Sequence, residues 1–233
     1  RSGWYILRNP YYMTINEPEL LKNWMIQIFT SIQDTPREYI MWFLGDIFVF
    51  TYPIFLVYRY RHWITQKNVQ YKIDSLHIFF SIILSVVCNI IVQLFFTRQR
   101  PYIYYWREDE WANTVLHQFL PPSSFPSDHA TVSFAIARAT LLIFMKKSYK
   151  SKEQKNLFIF AIGFFLFALT MSLARIAIWI HRPTDILMGF AIGSIVPLVF
   201  WRSHIHHTTY KKIYTPLIMI ENKLTKQIKK LIW

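Results

Sequence analysis

LFIFAIGFFLFALTMSLARIAIWIHRPTD, residues 157–185, runs almost unbroken in apolar residues through position 180 and sets Arg175, His181 and Asp185 around its end. A helix of this length and composition crosses the hydrocarbon of a bilayer, at a rise of about 1.5 Å per residue. Charge placed where such a run meets water costs several kcal/mol unless it has a task. Arg182 precedes Pro183, and a residue before proline is biased away from helix, so this span should end near 182. Pro183 suits the first position of the next helix, which puts Asp185 in its first turn.

Four further segments are apolar enough to span: 39–58, 76–96, 129–145 and 185–201. The shortest covers only about 25 Å as a helix, so these boundaries should extend by a few residues. The expected fold is all-α, a polytopic bundle of about five transmembrane helices with interfacial amphipathic helices beside it. It forms a single domain over 1–233: an N-terminal interfacial segment 1–38, a transmembrane core 39–201 and a basic amphipathic tail 202–233. Residues 20–30 carry Lys22, Asn23 and Gln27 among apolar residues and suit an interfacial helix better than a sixth span. Residues 1–20 hold no apolar stretch resembling a signal-peptide core.

The composition agrees, with 53% hydrophobic and 18% aromatic residues, too apolar for an ordinary soluble domain. Formal net charge is +13, but the cations lie between apolar runs. That placement favours lipid headgroups and topology control, and nucleic acid is not an expected partner. Cys88 is the single cysteine, so no internal disulfide can form.

Arg59, Arg61, Lys67 and Lys72 fill the first connection, and Lys146, Lys147, Lys150, Lys152 and Lys155 fill the third. The tail adds Arg202, Lys211, Lys212, Lys223, Lys226, Lys229 and Lys230 on the same side, which should be cytoplasmic. Its segment 216–233 reads either as an amphipathic helix on the inner leaflet or as a solvated basic tail. The second connection, 97–127, includes Glu108, Asp109 and Glu110 and faces outward with the turn at 181–185.

Three charged stretches fall on that outer side: Arg100-Pro101, Pro126-Ser127-Asp128-His129 and Arg175-x5-His181-x3-Asp185. Ser127 is a natural N-cap, gathering backbone N–H groups, Asp128's among them, and the positive helix end at one point fit for a phosphate. His129, in the first turn, could protonate a departing oxygen. Asp185 can hold the tautomer of a neighbouring histidine and free its other nitrogen for attack. Arg100 offers a planar fork matched to phosphate oxygens, with Arg98 two residues before it. Each stretch alone has a structural reading: a capped helix, a capping Asp with an interfacial His, arginines anchored among headgroups. One phosphate site explains all three at once.

In these motifs the chain resembles the type-2 phosphatidic acid phosphatase superfamily of integral-membrane lipid phosphatases. Its signature is Lys-x6-Arg-Pro, Pro-Ser-Gly-His and Ser-Arg-x5-His-x3-Asp, and the resemblance spans roughly 76–201. It implies His181 as nucleophile through a phosphohistidine, Asp185 orienting it, and His129 as general acid. It also implies Arg100, Ser127 and Arg175 as ligands of the phosphoryl oxygens, with no metal or other cofactor. Three positions depart from the pattern. Gln93 stands where the family has Lys, leaving Arg98 as the candidate to supply that cation; Asp128 replaces Gly; Ala174 replaces Ser. The first two, with Ser-Phe-Pro-Ser-Asp-His at 124–129, resemble the bacitracin-resistance group of undecaprenyl-diphosphate phosphatases.

The expected function is hydrolysis of a lipid phosphate or diphosphate at the outer face of a cytoplasmic membrane, with undecaprenyl diphosphate as preferred substrate. Alternatives are phosphatidylglycerophosphate, phosphatidic acid or a lipid A phosphate, or a transporter or binding protein that keeps the pocket without the chemistry. Asp46 and Arg138 lie at similar depth in the first and third spans and are expected to pair, unless Arg138 lines the headgroup cavity. Gly189-x3-Gly193 permits close helix approach, more within one chain than between two. His204, His206 and His207 are given no metal. Tyr102, Tyr104, Tyr105, Trp106 and Trp111 suit an interfacial belt. No pattern in the chain reads out an oligomeric state.

Overall fold

The computed structural model describes residues 17–66, 68–96, 98, 100–101, 123–146, 151–202 and 210–232. Among these the regular structure is helical. An amphipathic helix α1 (Glu19–Ile32) precedes α2 (Pro36–Ile47), which passes through one 3-10 turn (Phe48–Phe50) into α3 (Thr51–Gln66). Then follow α4 (Gln70–Phe95), α5 (Asp128–Met145), α6 (Ser151–Ala177) and α7 (Pro183–Arg202). A π-helical turn, Tyr210–Tyr214, leads into α8 (Thr215–Ile232). Among the described residues five helical stretches are long and apolar enough to cross a membrane, the first being α2 and α3 taken together as Pro36–His62.

Side chains on these spans are distributed inside out. Along α4 the exposed apolar positions include Phe79, Ile83, Val87, Ile91 and Leu94, while Ser81, Ser85, Asn89 and Gln93 are buried. Spacing of three and four puts each set on its own stripe of the helix, apolar toward lipid and polar toward the bundle. Helix α5 is the most buried span and sits at the centre, packed on α4, α6 and α7. Its inward apolar residues Ile136, Ala137, Ala139 and Ile143 join Tyr52, Phe55, Ile78, Leu157 and Phe164 in the main core.

Gly189 and Gly193 set the distance between α5 and α7. A Cβ built on Gly193 would stand 2.5 Å from the Thr131 carbonyl oxygen and 3.0 Å from the Ala135 nitrogen. One on Gly189 would stand 2.8 Å from the Ser127 oxygen. These neighbours are backbone, so a side chain can be accommodated only by moving a helix. Gly193→Ala is expected to destabilise the protein by about 1–3 kcal/mol, measured as a lowered unfolding midpoint in detergent.

The expected spans are all present, and every one starts earlier than its apolar run; the fourth also ends early. Helix α6 stops at Ala177, five residues short of the proline-based boundary, and residues 178–182 form a reversal. Within it Trp179 takes φ +62°, a left-handed conformation that costs a side-chain-bearing residue about 1–2 kcal/mol. Burial of its ring against Phe29 of α1, 4.5 Å between centroids, offsets that cost. The interfacial helix foreseen over 20–30 is thus α1, and it buries Met25 and Ile32 as well.

At the opposite end of the bundle, the tail is a docked helix. Tyr214 is fully buried, and Glu221 of α8 pairs with Lys72 at 2.5 Å and accepts from Tyr60 at 2.5 Å. Arg59 meets Asp74 at 3.8 Å, both buried. Two cations read as loop charges are therefore internal ion pairs. The histidines at 204, 206 and 207, the acidic residues at 108–110 and the aromatics at 102–111 lie outside the described residues.

Candidate active site

Four segments converge at one end of the bundle: the exit of α4, the N-terminus of α5, the reversal after α6 and the first turn of α7. Ser127 caps α5 as expected, its side chain accepting from the Ala130 N–H at 3.4 Å. Its own N–H donates to the Asp185 carbonyl at 3.1 Å, which ties the start of α5 to the start of α7. Thr131 holds the same corner, donating to Asn89 Oδ1 at 2.8 Å and the Ser127 carbonyl at 2.9 Å. Pro183 opens α7, and Asp185 lies in its first turn.

The reversal after α6 brings Arg175 and His181 together. Both Ile180 and His181 donate their N–H to the Arg175 carbonyl, at 3.1 and 3.2 Å. His181 is almost completely buried. Its Nδ1 lies 2.9 Å from the Ser124 carbonyl oxygen and 3.7 Å from Asp185 Oδ2. A carbonyl oxygen only accepts, so Nδ1 carries the hydrogen and Nε2 keeps its lone pair. Nε2 faces Arg100 Nη1 at 3.4 Å. Burial pushes the imidazole down to about 4; Asp185 opposes this, while Arg100 and Arg175 add to it. The ring is therefore neutral at neutral pH.

Asp185 is buried and fully engaged. Its Oδ1 accepts from Arg98 Nη1 at 2.6 Å, and its Oδ2 accepts from Ser124 Oγ at 2.9 Å and the Arg182 N–H at 2.8 Å. The sequence suggests Asp185 as the main partner of the imidazole, whereas the Ser124 carbonyl is the nearer one and Asp185 stands behind it. Arg98 also differs from expectation. Its other terminal nitrogen, Nη2, pairs with Glu17 at 3.0 Å, and Nη1 also reaches Thr184 at 2.5 Å. The fork that was to replace the missing Lys is occupied by two carboxylates.

Asp46 does not pair with Arg138. It pairs with Arg175 Nη1, which also donates to the Gly45 carbonyl at 3.1 Å, and it lies 3.5 Å from His129 Nε2. Depth alone does not choose a partner: α2 packs on α6, which brings Asp46 to Arg175. Arg138 makes no ion pair among the described residues. The Nε of Arg175 is buried without a hydrogen-bond partner there, a donor left over after Asp46 and Gly45 are served. Gln93 and Asn89 turn their amides to Asp128, at 2.9 and 2.6 Å to Oδ1.

Arg100, Arg175, His129, His181, Ser127 and Asp128 thus meet at one end of the bundle, two arginines and a neutral imidazole around a capped helix start. Such a set can bind a tetrahedral oxyanion and can present a nitrogen lone pair to it. The pattern of the PAP2 superfamily matches residues 74–208, more than half of the chain and all six of these groups. The chain belongs to the PAP2 superfamily. As a PAP2 member it is an integral-membrane lipid phosphatase.

Relatives in the superfamily span nearly the whole chain. Undecaprenyl-diphosphatase BcrC of Bacillus subtilis (strain 168) is 26% identical, over 84% of this chain and 91% of its own length. Bacitracin transport permease protein BcrC of Bacillus licheniformis is 23% identical, over 85% of this chain and 93% of its own. In fold, the crystal structure of Aquifex aeolicus LpxE is similar with a TM-score of 0.52 and 21% identity. That likeness covers 82% of this chain and all of the other. Glu17, Asp46, Asn89, Ser124 and Thr184 are the site neighbours missed in the sequence. Ser124 stands in the quoted Ser-Phe-Pro-Ser-Asp-His run, Asn89 sits one turn before Gln93, and Asp46 stood out as a charge within a span but was assigned to Arg138; Glu17 and Thr184 carried no local signal.

Proposed function

We propose that this PAP2 protein removes the terminal phosphate of undecaprenyl diphosphate at the outer face of the cytoplasmic membrane, through a phosphohistidine at His181. The observation that carries this reading is the hydrogen bond from His181 Nδ1 to the Ser124 carbonyl, which leaves Nε2 as the attacking atom. Nε2 forms a bond to phosphorus as the bond from phosphorus to the bridging oxygen breaks. His129 gives a proton to that departing oxygen, the lipid monophosphate leaving group. Arg100, Arg175, Ser127 and the Asp128 N–H stabilise the negative charge on the transferring group. Asp185 and the Ser124 carbonyl stabilise the imidazolium character that His181 acquires. Water then attacks phosphorus and His129 takes its proton, releasing inorganic phosphate and the free imidazole.

The reading of the substrate is supported by the B. subtilis relative's name and by the resemblance of Gln93 and Asp128 to the pattern of the bacitracin-resistance group. The B. licheniformis relative is named for transport. Against that reading for this chain, the site groups gather at one end of the bundle, which suits hydrolysis at one face. The outer location rests on the cations Lys146, Lys152, Lys155, Lys211 and Lys212 at the other end.

Purified protein in detergent is expected to release phosphate from undecaprenyl diphosphate faster than from phosphatidylglycerophosphate, phosphatidic acid or a lipid A phosphate. A faster rate on any of those three would reassign the substrate and keep the chemistry. Attack requires the neutral imidazole, so the acid limb of kcat/KM that belongs to His181 should lie near pH 4 and not near 6.5. The same shift acts on folding. An unfolded chain protonates here below about 6.5 while the folded protein refuses the proton until about 4, so stability falls on acidification through that window.

A further inference from the structure

The two departures from the family pattern, Gln93 and Asp128, form one unit. Gln93 Nε2 donates to Asp128 Oδ1 at 2.9 Å and to the Pro126 carbonyl at 3.1 Å, and Asn89 Nδ2 donates to the same Oδ1 at 2.6 Å. Asn89 and Gln93 are buried one turn apart on α4, and Asn89 is itself held by Thr131. A lysine at 93 would supply a cation for the anion; the amide instead fixes a carboxylate beside it. Among the described residues the second oxygen, Oδ2, accepts no hydrogen bond, and the charges acting on this carboxylate are those of Arg100 and Arg175. An acceptor with an open lone pair therefore stands among the cations that would bind a phosphoryl group.

A carboxylate in that position repels a fully ionised oxyanion and pairs with one that still carries a proton. We propose that Asp128 Oδ2 accepts a hydrogen bond from a protonated phosphoryl oxygen, so that this site takes hydrogen-bearing phosphate groups and rejects oxyanions without a proton. The inference rests on the phosphate-site reading given above. The Asn89–Gln93 pair is the positioning element, since two amides on Oδ1 aim Oδ2 away from α4. Inorganic phosphate carries at least one proton at neutral pH, and sulfate, of the same shape and charge range, carries none. The pair separates proton reading from charge attraction, and it needs no turnover.

The test is thermal unfolding of the full chain in detergent at neutral pH, titrated with sodium phosphate or sodium sulfate at matched ionic strength. For the wild type, phosphate is expected to raise the unfolding midpoint at concentrations about tenfold or more below those of sulfate, the size of one hydrogen bond to a charged group. In Asp128→Asn the ratio should fall close to one, chiefly because sulfate gains. The double variant Gln93→Lys with Asp128→Gly, which restores the family pattern, should show the same collapse and guards against a fold defect in the single change. Equal stabilisation by both anions in the wild type, or a ratio unchanged in both variants, overturns the proposal. If His181→Ala nonetheless abolishes turnover, the phosphate-site reading survives that loss. Stabilisation by neither anion in the wild type overturns both.

Discussion

A His181→Ala protein is expected to fold and enter the membrane yet release phosphate at least about 10³-fold more slowly than the wild type. The loss is large because Nε2 is the atom assigned to attack: it looks at Arg100 from 3.4 Å, and Nδ1 is committed to the Ser124 carbonyl. Removing the ring also leaves that buried carbonyl without its donor, at a cost of about 1–3 kcal/mol. His181→Asn separates the two effects. Its side-chain amide can donate to Ser124 as Nδ1 does, so stability should return while activity stays absent. Phosphate release and unfolding midpoints on both variants check this, and turnover in either would remove His181 from the chemistry.

The largest effect on stability is expected at Arg98. Its guanidinium serves Asp185 at 2.6 Å and Glu17 at 3.0 Å, and all three side chains are at most 3% exposed. Deleting the cation leaves two carboxylates buried without compensation, which costs about 3–5 kcal/mol. Arg98→Met should therefore unfold far more easily in a thermal scan, and what remains folded should have a lowered kcat because Asp185 loses its anchor. Arg98→Lys should recover only part of the loss, since a point charge cannot span two carboxylates as a planar fork does. A role in holding phosphate, the sequence-based expectation, gives a different outcome: a raised KM with the unfolding midpoint unchanged.

These two residues also mark what the chain discloses on reading and what it does not. Features set by local spacing were legible: the five apolar spans, the Ser127 cap, Pro183 at the first position of α7, and the close approach through Gly189 and Gly193. Each depends on residues within a turn or two, or on an apolar stripe of fixed period. Partner choice was not legible. Arg98 and Arg100 are two residues apart and identical in type, yet one turns to Asp185 and Glu17 and the other to His181. Asp46 was assigned to Arg138 by depth alone, whereas the packing of α2 on α6 delivers it to Arg175 and His129. The early end of α6 has the same origin. Trp179 has a left-handed backbone and its ring packs on Phe29, 150 positions earlier, a contact that no local rule encodes.

The constellation itself was foreseen from three motifs on one side of the membrane, and the geometry added how its parts are tuned. The Ser124 carbonyl, invisible to any reading of side chains, selects the tautomer of His181. The pairing of Gln93 with Asp128 turns two separate departures from a family pattern into one device.

The most direct measurement follows the phosphorus. Undecaprenyl diphosphate labelled in its terminal phosphate is mixed with the protein, quenched in alkali within one turnover, and the protein is digested and mapped. An alkali-stable, acid-labile label on the peptide that contains His181, absent from His181→Ala, is the expected result. Label on another residue, or full turnover with no labelled protein at any quench time, would contradict a phosphohistidine at this site.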